Sequence, residues 1–160
     1  MNPLNGHFEA GIRSLVVLTA AFPVRLDIAR LVYLDHVMLH SGGLDGGPPS
    51  LQPDLPVGPG ELGLRRTLVE QGLVVLMRAG LVDLTTDEGG FLYGATEEAA
   101  SFLGALQAHY VVELRARADW LADYYLRDST DVREDMKQIT RRWATQVLPE
   151  ASGNREDQGQ

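Results

Sequence analysis

The stretch that decides the fold covers Leu76–Ala95 and reads LMRAGLVDLTTDEGGFLYGA. Apolar residues recur at helical spacing up to Gly80, and a glycine at this point is a typical helix stop. From Leu81 to Thr85 apolar and polar residues alternate, and this period of two predicts a strand. A turn at Asp87–Gly90 and a second apolar run at Phe91–Ala95 complete a predicted β-hairpin. The chain therefore passes from a helix directly into a short hairpin.

Helices are predicted on both sides of this hairpin. The helix predicted from Ile28 to His40, with Asp27 as its N-cap, is apolar on nearly all sides, so we expect it at the centre of the fold. Phe8 is expected on the apolar side of the first helix. The first three predicted helices run from Phe8 to a stop at Pro23, from Ile28 to His40, and from Glu61 to about Ala79. The fourth is one long helix from the cap Thr96 to Tyr125. The last begins after Asp128 or Ser129 and carries on one side Val132, Met136, Ile139, Trp143 and Val147.

The order of these elements is that of a winged helix-turn-helix. We therefore predict a mainly α fold with a small β-hairpin, extended by an additional N-terminal helix and long C-terminal helices. Residues 1–149 are expected to form a single domain, and residues 150–160 a polar tail. Because DNA readers and protein-docking modules share this architecture, the fold alone decides no function.

Residues 42–60 are rich in glycine and proline and lie between the second and third predicted helices. Proline lacks an amide donor and glycine favours positive φ, so no regular element is expected here. Leu44, Leu51 and Leu55 recur within the stretch, which predicts a loop that packs on the domain. Long loops inside compact domains are often functional.

Composition excludes several classes of protein. The chain has 160 residues and no cysteine, which fits one domain without disulfides, thiolate nucleophiles or sulfur-ligated zinc. Its formal net charge of −8 opposes the binding of nucleic-acid phosphate. The longest apolar run, residues 15–22, is shorter than a membrane span, so we expect a cytoplasmic protein that does not enter the membrane.

No catalytic constellation stands out, and neither an enzyme nor a bound cofactor is expected. Lys137 is the only lysine and is far from every glycine cluster, which excludes a P-loop. His36 and His40 stand four residues apart beside Asp35, so a small metal hydrolase is one alternative, although we expect no metal. A carboxylate in so apolar a helix needs a partner, and we expect an arginine or loop amides around Asp35.

Basic residues are scarce where a winged helix would contact DNA. From Gly60 to Ala100 there are three arginines against seven carboxylates, and Asp87 and Glu88 make the hairpin tip acidic. Such a tip repels phosphate. A winged-helix transcriptional regulator that contacts DNA through Arg65 and Arg66 is the alternative function.

Seven motifs in order resemble the small middle components of ABC-three-component systems, a group that includes Lamassu-type anti-phage defence. The motifs are RSLxxLTAA (13–21), LVYLDxxxxHS (31–41), DGGPxSLxP (45–53), GExxxRR (60–66), GLxxLMxxGLV (72–82), YxATExAxxFL (93–103) and RADWL (117–121). The resemblance extends from about Phe8 to Tyr125.

This resemblance implies a non-catalytic winged-helix adaptor in a bacterial anti-phage defence complex. It would bridge an ABC ATPase of the SMC or RecN kind and an effector such as a nuclease, with DNA contacted only through the complex and no small-molecule substrate. We expect the loop from Ser41 to Gly60 and the Arg65-Arg66 pair to form one protein contact, and the aromatic C-terminal helices another. The candidate interface residues are Ser41, Asp45, Gly46, Pro48, Ser50, Pro53, Arg65, Arg66, Trp120, Tyr124 and Trp143.

Overall fold

The computed structural model describes residues 6–52 and 61–127, which are mainly helical with one antiparallel hairpin. This confirms the predicted class of a mainly α fold with a small β-hairpin. The elements, in chain order, are α1 (His7–Ala21), α2 (Ile28–Leu39), α3 (Glu61–Arg78), β1 (Val82–Asp87), β2 (Gly90–Ala95), α4 (Glu97–Ala105) and α5 (His109–Ala122). A 3₁₀ turn at Ser41–Gly43 follows α2, and a π-helical turn at Asp123–Arg127 follows α5.

The first two helices lie close to their predicted positions. Asp27 caps α2 as expected, because its carboxylate accepts a hydrogen bond from the Arg30 amide at 2.8 Å. The prediction that Phe8 lies on the buried side of the first helix is wrong, because its side chain is 57% exposed. It lies in the first turn of α1, and the first buried residue of that helix is Ala10.

The hairpin pairs with the connection between α1 and α2. In the hairpin, Val82 lies opposite Ala95 and Asp87 opposite Gly90, whose φ of +122° favours glycine. The Leu26 amide donates to the Tyr93 carbonyl at 2.9 Å, and the Tyr93 amide donates to the Leu26 carbonyl at 2.8 Å. One extended residue before α2 thus lengthens the sheet by a single bridge.

The core is built around α1 and α2, which both contact α3 and α5. The side chains that fill its centre are fully buried leucines and a methionine, namely Leu15, Leu18, Leu31, Met38, Leu39, Leu73, Leu103 and Leu114. Helices α1 and α3 approach closely at Gly11 and Gly72, where a Cβ built on Gly72 would lie 2.6 Å from the Gly11 Cα. At the other side, the hydroxyls of Tyr33 and Tyr125 share a hydrogen bond of 2.6 Å, which ties the end of the described chain to α2.

The single long helix predicted from Thr96 to Tyr125 is wrong. The chain forms two helices, because Leu106 is extended and Ala108 also leaves the helical conformation, with ψ of 133°, between α4 and α5. The break lets α4 and α5 follow separate paths while Leu106 and Tyr110 on either side still pack against the core. Thr96 occupies the N-cap position of α4, but its hydroxyl donates to the Gly80 carbonyl at 2.7 Å instead of capping the helix.

No helix within residues 6–52 or 61–127 is long and apolar enough to cross a membrane. The last predicted helix, after Asp128 or Ser129, and the predicted tail at 150–160 lie outside the described residues. The extent of the domain, 1–149, stays a prediction.

Candidate functional site

A buried carboxylate joins the first three helices. Asp35 on α2 is completely inaccessible to solvent. Its Oδ1 accepts a hydrogen bond from Arg13 Nε on α1 at 2.6 Å, and its Oδ2 accepts one from Arg65 Nη1 on α3 at 2.7 Å. Burial is the largest single influence on the pKa of Arg13 and lowers it, but the charge and hydrogen bond of Asp35, together with Tyr110, outweigh burial and raise that pKa above its ordinary value. The three residues therefore form one charged cluster that fixes α1, α2 and α3 relative to one another.

This cluster confirms that Asp35 has an arginine partner. It also removes support from the metal-site alternative, because both Asp35 oxygens face guanidinium groups. The rings of His36 and His40 lie 4.6 Å apart in a tilted arrangement. Within the part of the chain that the structure describes, no group of three or more potential metal ligands is present.

The described part of the glycine-proline loop, residues 41–52, is held by its own polar groups. The buried Ser41 hydroxyl donates to the Pro48 carbonyl at 2.9 Å, and the Gly42 amide donates to the Ser50 hydroxyl at 3.0 Å. A Cβ at Gly47 would collide with the Ser41 carbonyl, so glycine is required there. The amide of Leu51 returns to the Leu39 carbonyl at the end of α2. The described part of the loop thus has one defined conformation, and Leu44 and Leu51 pack against the core as predicted.

Arg117 on α5 fastens this loop to the helical body. Its Nε and Nη2 both donate to the Pro49 carbonyl, at 3.0 and 2.7 Å, while its Nη1 donates to the Glu113 carboxylate at 2.5 Å. The Arg117 side chain is only 7% exposed. Its hydrogen bond to Glu113 lowers the pKa of that carboxyl below the ordinary 4.5. The Glu113 carboxylate therefore keeps its charge, and the ion pair, until the pH falls below this lowered pKa.

Substitution of Arg117 by alanine is expected to release the loop. The change removes a charged donor from the Pro49 carbonyl and should lower the free energy of unfolding by about 2 kcal/mol. It should also speed amide hydrogen exchange in residues 41–52, measured by mass spectrometry on the native protein. The exposed Arg115 on the same helix provides the control, since Arg115→Ala should change neither quantity. Equal protection of the loop in the two variants would show that Arg117 does not hold it.

Two aromatic residues continue the line of Arg117, one on α5 and one in the π-helical turn that follows it. Trp120 and Tyr124 follow it three and seven residues later, a spacing that places side chains on the same side of a helix. Their rings stack with centroids 5.1 Å apart, and both side chains are half-buried. We call residues 41–52 together with Arg117, Trp120 and Tyr124 the loop–α5 surface. It joins the loop and the α5 aromatics, which the sequence assigned to separate contacts.

The outward side of α3 forms a second surface, which we call the α3 outer face: Leu64, Arg66, Glu70, Val74 and Val75. Leu64 is 60% exposed, an unusual fraction for a large apolar side chain. Arg66 donates to the Glu70 carboxylate at 3.0 Å, so its charge is matched on the same helix. The face combines apolar side chains with a neutralised ion pair.

The structure separates the two arginines that the sequence placed in one contact. Arg65 turns inward to Asp35 and its side chain is 17% exposed, whereas the Arg66 side chain is 58% exposed. Asp45 and Gly46 are exposed at the outside of the loop, while Ser41 is buried beneath it. The other candidate interface residues within the described chain, Pro48 and Ser50, are half-buried in the loop, whereas Pro53 and Trp143 lie outside the described residues.

Sequence reasoning did not single out Arg13 or Arg117. Arg13 is the only charged residue between Glu9 and Arg25 in a mostly apolar stretch, which is a signal that its charge needs a buried partner. Arg117 belongs to a mixed run of acidic and basic residues, where an inward-facing arginine has no distinguishing pattern. Its partner Pro49 is 68 residues away, so only the tertiary structure reveals the contact.

A family model described as "ABC-three component (ABC-3C) system Middle Component 2" matches residues 3–146 of the chain. This match covers all the elements of the described fold and extends beyond Arg127. No curated protein and no solved structure matches the chain.

Proposed function

Because the chain belongs to the Middle Component 2 family of ABC-three-component systems, we propose that it is a non-catalytic adaptor that holds an ABC ATPase and an effector together. The ATPase is of the SMC or RecN kind and the effector is a nuclease, in a Lamassu-type anti-phage system of the cytoplasm. The observation that carries the proposal is the loop–α5 surface. An exposed loop locked by Arg117 against a helix with stacked aromatic rings is a preorganised protein-binding surface.

The arrangement around the hairpin supports a winged helix as the framework of this adaptor. An extended residue, Leu26, precedes two helices and pairs with the second strand of the hairpin that follows them. That order of helix, short extended segment, two helices and hairpin is the order of a winged helix. In this interpretation α3 takes the place of the recognition helix and β1–β2 the place of the wing.

Two distinct surfaces suit a bridging role. The loop–α5 surface belongs to the end of α2 and to α5, and the α3 outer face belongs to the solvent side of α3. Helix α1 contacts both α3 and α5, so it connects the elements that carry the two surfaces. We assign one protein partner to each surface. A bridge of this kind holds the effector inactive until the ATPase engages foreign DNA, provided that the ATPase contacts the two states of the complex differently.

Transcriptional regulation, the alternative function, receives less support from the charges. Arg65 forms an ion pair with Asp35, and Arg66 forms one with Glu70. The exposed carboxylates Asp87 and Glu88 stand at the tip of the hairpin. A wing of this charge repels the phosphates that it would have to approach.

Charge-reversal variants test the two surfaces separately. The chain is co-expressed with the ATPase and the effector encoded beside it, and each pairwise affinity is measured on purified proteins. Asp45→Arg in the loop should lower the affinity for one partner at least tenfold and leave the affinity for the other unchanged. Arg66→Glu should lower the affinity for the second partner and leave the first unchanged. The reason is that misplaced charges in an interface cost more than 1 kcal/mol.

Matched controls carry the same charge changes elsewhere. Glu88→Arg at the hairpin tip and Arg78→Glu at the last turn of α3 are both exposed substitutions outside the proposed contacts. They should leave both affinities within a factor of two of the wild type. If Asp45→Arg and Arg66→Glu both bind the two partners with wild-type affinity, the assignment of the surfaces is overturned. Tight, salt-dependent binding of the isolated chain to an operator would favour the regulator.

A further inference from the structure

An apolar groove opens where the end of α5 passes the α1–α2 connection. It has a volume of about 190 Å³, and its lining includes Val17, Val24, Leu26, Leu34, Leu121 and Tyr125. The two charged residues that line it are already paired. Arg25 donates to Asp83 at 2.5 Å, and Arg30 donates to Asp27 at 3.0 Å. The groove therefore favours an apolar occupant over an anionic one.

The size of the groove suits one large side chain. An engineered apolar cavity of about 150 Å³ is sufficient for a benzene ring, and this groove is somewhat larger. Val24 at its border is 44% exposed, and Phe22, two residues earlier in the chain, is 56% exposed. Exposed apolar side chains beside an open apolar groove mark this region as a candidate docking site.

The chain itself supplies a suitable occupant. The described residues end at position 127, only two residues after Tyr125 in the groove wall, and 33 further residues follow. In that remainder, apolar residues stand at intervals of four, three, four and four, the pattern of one face of a helix; they are Val132, Met136, Ile139, Trp143 and Val147. A segment tethered so close to the groove has an effective concentration of about 1 mM, far above that of a separate protein chain.

We propose that this groove is the docking site of the chain's own residues 132–147, with Trp143 as the side chain that fills it. This inference is independent of the adaptor function. It assigns Trp143 to a contact within the chain instead of a contact with a partner. The segment then completes the core at the end of α5, where Tyr33 and Tyr125 meet.

Because the chain has no cysteine of its own, a thiol-specific cross-linker reacts only with cysteines introduced by substitution. Two cysteines are introduced into the full chain, as Val24→Cys at the groove and Val147→Cys one turn after Trp143. A short bis-maleimide reagent should then join them within one molecule, at a rate about tenfold above that of a control pair. The control pair is Val112→Cys with Val147→Cys, because Val112 has a similar exposure, 52%, but does not line the groove. Products are identified by gel mobility and peptide mass.

Equal rates for the two pairs would overturn the proposal. Cross-linking between two molecules, seen as covalent dimers at the expense of the intramolecular product, would also overturn it and assign the groove to a second copy of the chain.

Fluorescence gives a second readout that does not depend on the cross-linker. With Trp120→Phe, the emission reports Trp143 alone, and a buried indole emits at shorter wavelength than a solvated one. Adding Ala122→Phe places a ring in the groove and should shift the Trp143 emission to longer wavelength. Adding Ala116→Phe, at an exposed position of α5 outside the groove, should not. An emission that is already that of solvated indole, or one that neither ring changes, would contradict the proposal.

Discussion

Substitution of Asp35 by asparagine is expected to lower the free energy of unfolding by about 3–5 kcal/mol, as is typical when one partner of a buried ion pair is removed. Asparagine preserves the shape of the side chain but removes the negative charge. Arg13 and Arg65 would then face each other as two cations around a neutral amide, and Arg13 is almost completely buried. Urea unfolding followed by circular dichroism measures the change in stability.

The same substitution at an exposed aspartate is the matched control. Asp45→Asn in the loop should change stability by no more than about 0.5 kcal/mol, as is usual for surface positions. A further variant separates charge from packing. Replacing the whole cluster with apolar residues, as Arg13→Met, Asp35→Leu and Arg65→Met, should recover most of the loss, because no buried charge remains unpaired. If Asp35→Asn and Asp45→Asn destabilise equally, the cluster does not stabilise the fold.

Substitution of Gly72 by alanine is the second change with a large expected effect. The new methyl group would lie 2.5 Å from the His7 carbonyl oxygen and 2.6 Å from the backbone of Gly11. These neighbours are backbone atoms of α1, which cannot rotate away as a side chain can. Helices α1 and α3 must therefore separate, and we expect a loss of about 3 kcal/mol in the free energy of unfolding.

Gly63 offers a control on the same helix with the same chemical change. A Cβ at Gly63 meets no atom within 4 Å. Gly63→Ala should therefore stabilise the protein by about 0.5–1 kcal/mol, because alanine has the higher helix propensity. The two substitutions are thus expected to act in opposite directions in the same urea titration. A Gly72→Ala variant as stable as Gly63→Ala would mean that α1 and α3 do not pack through these glycines.

The elements that the sequence predicted well have strong local signals. Helices α1 to α3 are bounded by Pro23, the Asp27 cap and Gly80, and the hairpin follows a clear change of period. The break between α4 and α5 has a weaker signal, because Gly104 near the end of α4 is followed by neither a proline nor a cap residue. Leu106 and Ala108 are ordinary helix-forming residues, and their non-helical backbone serves tertiary packing on both sides of the break.

Some parts of the candidate site could also be predicted from the sequence, and others could not. An isolated carboxylate in an apolar helix is a strong signal, and it correctly indicated an arginine partner for Asp35. The ordering of the loop was also predictable from its leucines. The role of Arg117 depends on a contact with Pro49 across 68 residues of sequence, and no local pattern reports a contact of that kind.

The central claim, that this chain bridges two proteins, is tested most directly by native mass measurement of the co-expressed system. The ATPase and the effector encoded beside it are purified together in the presence and in the absence of the chain. The adaptor proposal predicts a complex that contains all three components when the chain is present, and separate ATPase and effector when it is omitted. A stable complex of ATPase and effector without the chain would contradict the bridge.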